Sequence, residues 1–85
     1  MSEEFRKLIV FLMNSNIKFY TGEHQGNYHV VGYRERNSTT GVDKLWEVDD
    51  RPDGLRFYNM ISPCEPYELS YKDIIKYIAI IEERA

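Results

Sequence analysis

Apolar residues return at two different intervals along this 85-residue chain, and the change of interval divides it into helix, strands and helix. Phe5, Leu8, Ile9, Leu12 and Met13 recur at three- and four-residue spacing, which predicts an amphipathic helix from about Glu3 to Met13. Ser2 stands where a side chain caps the first turn, and Glu3 and Glu4 suit the positive end of the helix dipole. Asn14-Ser15-Asn16 supplies the stop, because Asn tolerates the left-handed conformation that often ends helices.

The interval then shortens to two. Ile17, Phe19 and Thr21 alternate with Lys18 and Tyr20, predicting a strand over 17–21, and the stretch from Gly22 to Asn27 reads as a hairpin loop. Tyr28 to Arg34 is the next strand, partly apolar on both faces, with Gly32 marking a bulge or a close backbone approach. Arg36 to Gly41 is the most polar stretch and reads as a mobile loop. Val42 to Val48 is the third strand, with Trp46 and Val48 facing the same way. The turn Asp49-Asp50-Arg51-Pro52-Asp53-Gly54 leads to a fourth, Leu55 to Met60. Two prolines in Ser62-Pro63-Cys64-Glu65-Pro66 remove ladder donors, so that segment crosses over instead of pairing.

The last element returns to helical spacing. Ile74, Ile75, Ile78 and Ile81 form one stripe reaching about Glu83. Ser70 and Asp73 have capping-box spacing, and Leu69 and Ile74 flank the cap as a hydrophobic staple. Glu82 and Glu83 stand at the negative end of that helix, so the end is expected to fray or to find a cation elsewhere. The expectation is a single α+β domain over 1–85, in two layers. A four-stranded antiparallel meander carries the N- and C-terminal helices on one face.

Charge narrows the function classes. Eleven Lys and Arg against fourteen Asp and Glu leave −3, a poor match to a protein held on nucleic acid chiefly by counterion release. No apolar run approaches the roughly 18 residues of a membrane span, and the Ser2-Glu3-Glu4 opening is acidic where a secretion signal is basic. A single cysteine, Cys64, excludes an internal disulfide; beside Glu65 it reads as a small buried hydrophobe and not as a nucleophile. A cytoplasmic location is expected. The helix–strands–helix order is similar to that of the double-stranded RNA-binding domain, which implies phosphate contacts from a lysine-rich start of the second helix. Ser70-Tyr71-Lys72-Asp73 departs from that pattern.

Three groups of residues could carry chemistry. Glu47, Asp49, Asp50 and Asp53 form the one carboxylate cluster, able in principle to hold a hard cation. Asp and Gly are equally what a tight turn demands, and turn chemistry is the preferred reading. His24 and His29 with Glu23 could bind zinc, but a catalytic zinc site needs three protein ligands in firm geometry, and the exposed-histidine reading is preferred. No metal and no cofactor is therefore expected, and no phosphate-cradling glycine motif is present.

The third group is aromatic. Seven Tyr, four Phe and one Trp are more rings than one sheet face can hide, so some tyrosines must line the face away from the helices. Tyrosine is a good strand former, yet Tyr and Trp are also enriched at interfaces. The expectation is a small non-enzymatic binding module, such as an inhibitor, adaptor or small subunit, that contacts another protein or itself. A stand-alone module of this kind would suit a phage or mobile element. It would use an aromatic sheet face or a strand edge, with Tyr20, Tyr33, Trp46 and Tyr58 as contacts. The alternatives are a nucleic-acid-binding protein using Arg34, Arg36, Lys44, Arg51 and Arg56 beside the rings, or a metal-dependent enzyme at the acidic 47–53 turn.

Overall fold

Helix α1 (Glu3–Met13) forms where its apolar stripe requires, and it is anchored at its first residues. The Ser2 hydroxyl accepts from the Phe5 amide at 3.2 Å, and the Ser2 amide donates to Asp50 Oδ2 at 2.8 Å, tying the start of the helix to the sheet. Phe5, Leu8 and Leu12 are buried, while Met13, expected in the stripe, is 70% exposed. Asn14 ends the helix at φ −94° and not in the left-handed region, with its side-chain amide donating to the Val10 carbonyl.

The computed structural model describes residues 1–36, 41–61 and 66–84, so most of the polar loop after Arg36 and the surroundings of Cys64 lie outside the described residues. The strands are β1 (Phe19–His24), β2 (Asn27–Glu35), β3 (Val42–Arg51), β4 (Gly54–Asn59) and β5 (Tyr67–Glu68), paired antiparallel in the order β1-β2-β3-β4-β5. Among the described residues the meander thus has five strands, not four. The extra one is two residues long, just after Pro66, too short for alternation to announce it. Helix α2 (Tyr71–Arg84) follows, capped as expected by the Ser70 hydroxyl on the Asp73 amide. The Asp73 carboxylate answers by accepting from that hydroxyl at 3.0 Å.

Both helices contribute to one core with a single sheet face. Phe5, Leu8 and Leu12 meet Val30, Trp46, Val48, Phe57, Ile74 and Ile78, all essentially inaccessible to solvent. This inner face is where the driving force lies, at roughly 25 cal/mol for each Å² of apolar surface removed from water. Trp46 is its largest member. Its indole lies flat on Gly32, where a Cβ would collide with the ring, and its Nε1 donates to Glu82 Oε2 at 2.9 Å. Glu82, in the last turn of α2, is thus met by a neutral indole N–H and not by the cation expected there. At the same place the β2–β3 register shifts between Gly32 and Tyr33, so Leu45 and Trp46 both reach the core. Trp46, expected as a surface contact, is therefore an interior residue, because only glycine beneath it lets the indole lie down.

The β1–β2 hairpin is tighter than the glycines implied. Gln25 and Gly26, at φ 53° and 81°, make the whole connection, as a two-residue turn with both centres left-handed requires. Gly22 is a strand residue. It is glycine because the His29 ring lies over it: a Cβ there would stand 2.7 Å from His29 Nε2. Among the described residues, no helix is long and apolar enough to cross a membrane.

Candidate functional site

Strand alternation places a second set of residues on the face that carries no helix. Tyr20, Val31, Glu47 and Tyr58 form one cross-strand row; Gly22, His29, Asp49, Arg56 and Glu68 form the next. Tyr33 lies beside Tyr20, their ring centroids 5.8 Å apart. Three of the four expected contact residues, Tyr20, Tyr33 and Tyr58, thus share this outer face, and Trp46 lies on the opposite one. Val31, flanked by Tyr20 and Glu47, is only 1% exposed although it stands outside the inner core. Of the other four tyrosines, Tyr67 and Tyr77 pack on Phe57, Tyr71 borders the core, and Tyr28, opposite Glu23, is exposed.

The five basic residues considered for nucleic acid do not form one strip. Arg34, Arg36 and Lys44 gather at one end of the β2–β3 hairpin, where Arg36 Nε meets Asp43 Oδ1 at 2.7 Å and Arg34 Nε meets Oδ2 at 3.5 Å. The Arg36 guanidinium holds the Asp43 carboxyl below its usual range. Arg51 and Arg56 lie at the other end. Arg51 donates to Asp49, while Arg56 turns to Asp53 and Glu68 and thereby lowers the Asp53 carboxyl.

The acidic turn is divided in the same way, by the two-residue period of β3. Asp50 faces inward and accepts from Ser2; Asp53 lies in the turn with Arg56. Glu47 and Asp49 face outward, where His29 joins them from β2, directly opposite Asp49. One donor atom from each of His29, Glu47 and Asp49 lies within 4.8 Å of the other two, and all three residues are half-buried. They line a small cleft of about 60 Å³, with His24 and Arg51 at its rim. His24 and His29 do share the outer face, but the histidine pair is not the cluster; His29 with two strand carboxylates is.

The electrostatics of this trio are uneven. Arg51 Nη2 reaches Asp49 Oδ2 at 3.3 Å, whereas Asp49 Oδ1 is buried with no hydrogen-bond partner among the described residues. Arg56, opposite Asp49 in register, points its guanidinium away, and its own Nε is likewise buried and unpartnered. Burial, reinforced by the neighbouring Asp49 carboxylate, raises the Glu47 carboxyl from 4.5 to about 7. A proton on Glu47 lets it donate to Asp49; without that proton two adjacent carboxylates face one guanidinium. The sequence reading missed this grouping. The signal was the outward parity of Glu47 and Asp49 on β3, but His29 joins them only through the β2–β3 register.

One further feature of this face is its margin. Among the described residues, strand β1 pairs on one side only. The Tyr33 amide donates to the Lys18 carbonyl, so by antiparallel alternation Phe19, Thr21 and Glu23 turn their N–H and C=O groups to the open side. No protein-family model, curated protein or solved structure matches the chain.

Proposed function

We propose that this chain is a non-enzymatic binding domain that takes an extended segment of another polypeptide as an added strand along β1. The observation that supports it most directly is the open β1 edge itself. Six residues long, it has outward-facing backbone groups at Phe19, Thr21 and Glu23. Natural edges are usually blunted by proline, lysine, a bulge or a covering element. Within β1 there is neither Pro nor Lys. Main-chain bonds would supply affinity to such a guest strand, and side chains in alternate positions would supply selectivity. The Tyr20–Tyr33 pair adjoins the edge on the outer face and offers two flat rings with hydroxyl tips. Tyr58 extends the same surface across the sheet.

A displayed library of unstructured peptides tests this reading. Selected binders are expected to protect the Phe19, Thr21 and Glu23 amides from hydrogen exchange. Thr21→Pro removes an outward N–H without taking a bond from the β1–β2 ladder, so it should weaken binding at least about tenfold with the melting midpoint nearly unchanged. Binders that protect another surface, or that hold Thr21→Pro equally well, would overturn the reading. So would a chain whose β1 amides become protected only through pairing with a second copy of itself.

A further inference from the structure

We propose that His29, Glu47 and Asp49 form a site for one divalent transition-metal ion, best matched by Zn2+, on the outer face of the sheet. The argument begins with placement. His29 and Asp49 are directly opposed across β2 and β3, and Glu47 precedes Asp49 by two residues, so three donors leave the same face of two neighbouring strands. The strands fix the backbone beneath each of them, which a loop cluster would not. The donor set is one imidazole nitrogen and two carboxylate oxygens. Imidazole suits Zn2+, Cu2+ and Ni2+, whereas Ca2+ requires six to eight oxygens that three such side chains do not supply. Zinc takes nitrogen and oxygen at about 2.0–2.2 Å and accepts three protein ligands with water in the remaining position.

Three further features point to an ion. Asp49 Oδ1 is buried and has no hydrogen-bond partner among the described residues while Oδ2 is occupied by Arg51, which leaves one oxygen of the carboxylate available. The cleft of about 60 Å³ exceeds what a single water needs, so an ion with one or two waters fits beside the trio. The His29 ring occupies the space over Gly22, where a Cβ would stand 2.7 Å from its Nε2 and the ring would have to shift. The donors, now within 4.8 Å of one another, must close to about 3.4 Å around a tetrahedral zinc. Side-chain rotation at three half-buried positions provides that closure without moving the strands.

Titration of the full chain with Zn2+, read by calorimetry and by thermal melting, tests the site. The expected result is one ion per chain and a melting midpoint raised by several degrees at saturation, as binding to the folded state alone demands. His29→Ala and Asp49→Asn should each weaken binding at least about tenfold. Asp53→Asn, an equal loss of charge outside the cluster, should leave it unchanged. Because Asp49→Asn changes the charge of the sheet face, imidazole NMR of the wild-type chain gives a second readout: Zn2+ should shift the ring resonances of His29. A chain that binds no zinc, an His29→Ala variant that binds as tightly, or resonance shifts confined to His24 would each overturn the assignment. Mg2+ or Ca2+ stabilising the chain as strongly as Zn2+ would overturn it as well. Strand capture on β1 is read through Thr21→Pro, which alters none of the three donors, so either inference can fail without the other.

Discussion

Asp49 and Asp50 are neighbours in sequence that look out from opposite faces of one strand, and they are served differently. Asp50 turns toward the helices, where it is 8% exposed and accepts from the Ser2 amide, so its burial is compensated by the chain itself. Asp49 turns the other way. It meets Arg51 through one oxygen, and the other has no hydrogen-bond partner among the described residues unless the neighbouring Glu47 carboxyl, which keeps its proton up to about neutral pH, donates to it. The same contrast holds for the rings: Trp46 on the inner face is wholly buried with its N–H satisfied by Glu82, while Tyr20 on the outer face is 39% exposed. The inner face is a finished interior. The outer face holds polar groups whose complement must come from a proton, an ion or another molecule.

The largest break in that contrast should come from the inner ring. Trp46→Ala is expected to cost about 3–5 kcal/mol, through lost burial and a cavity above Gly32. Urea denaturation checks it, and a loss below about 1 kcal/mol would mean that the inner face is not the main source of stability. The two aspartates should then respond with opposite signs. Asp50→Ala strips the Ser2 amide of its acceptor and should cost about 2 kcal/mol. Asp49→Asn relieves repulsion with Glu47 and should stabilise the metal-free chain by about 1 kcal/mol at pH 8. Equal signs for the two would erase the distinction between the faces.

A smaller effect should follow pH. The folded chain keeps a proton on Glu47 up to about 7, where an ordinary carboxyl has released it above 4.5. Folding therefore takes up a proton in that window. The stabilisation is complete below 4.5 and is lost as pH rises through about 7. With allowance for solvent screening at this half-buried position, stability should fall by about 1–2 kcal/mol between pH 5 and pH 8. Glu47→Gln should flatten the slope in metal-free denaturation curves; an unchanged slope would place the proton elsewhere. The least change is expected from Tyr20→Ala, under about 1 kcal/mol, since this ring is already half in water.

The architecture was largely legible in the chain because each element announces itself locally. The stripes Phe5-Leu8-Leu12 and Ile74-Ile78-Ile81 are buried as their spacing predicted, and the strand order follows from short connections. Period two alone placed Tyr20 and Tyr58 opposite Phe19 and Phe57. What alternation could not place is anything set by contact between strands. Trp46 alternates correctly, but its being interior depends on Gly32 lying under it from β2. Gly22 looked like a loop residue because its reason for being glycine, the His29 ring, comes from the neighbouring strand. His29 and Asp49 are twenty residues apart, and their meeting depends on the register between β2 and β3. A one-residue slip would send one of the two to the far side.

Among the described residues the two margins of the sheet are unequal, six residues in β1 against two in β5. Endless head-to-tail stacking, one copy's first strand on the next copy's last, would have to propagate through a two-residue foothold. The one generous pairing of like with like is β1 against β1, which a twofold axis completes at two molecules. A chain built this way can offer a long open strand and still stop short of a fibre.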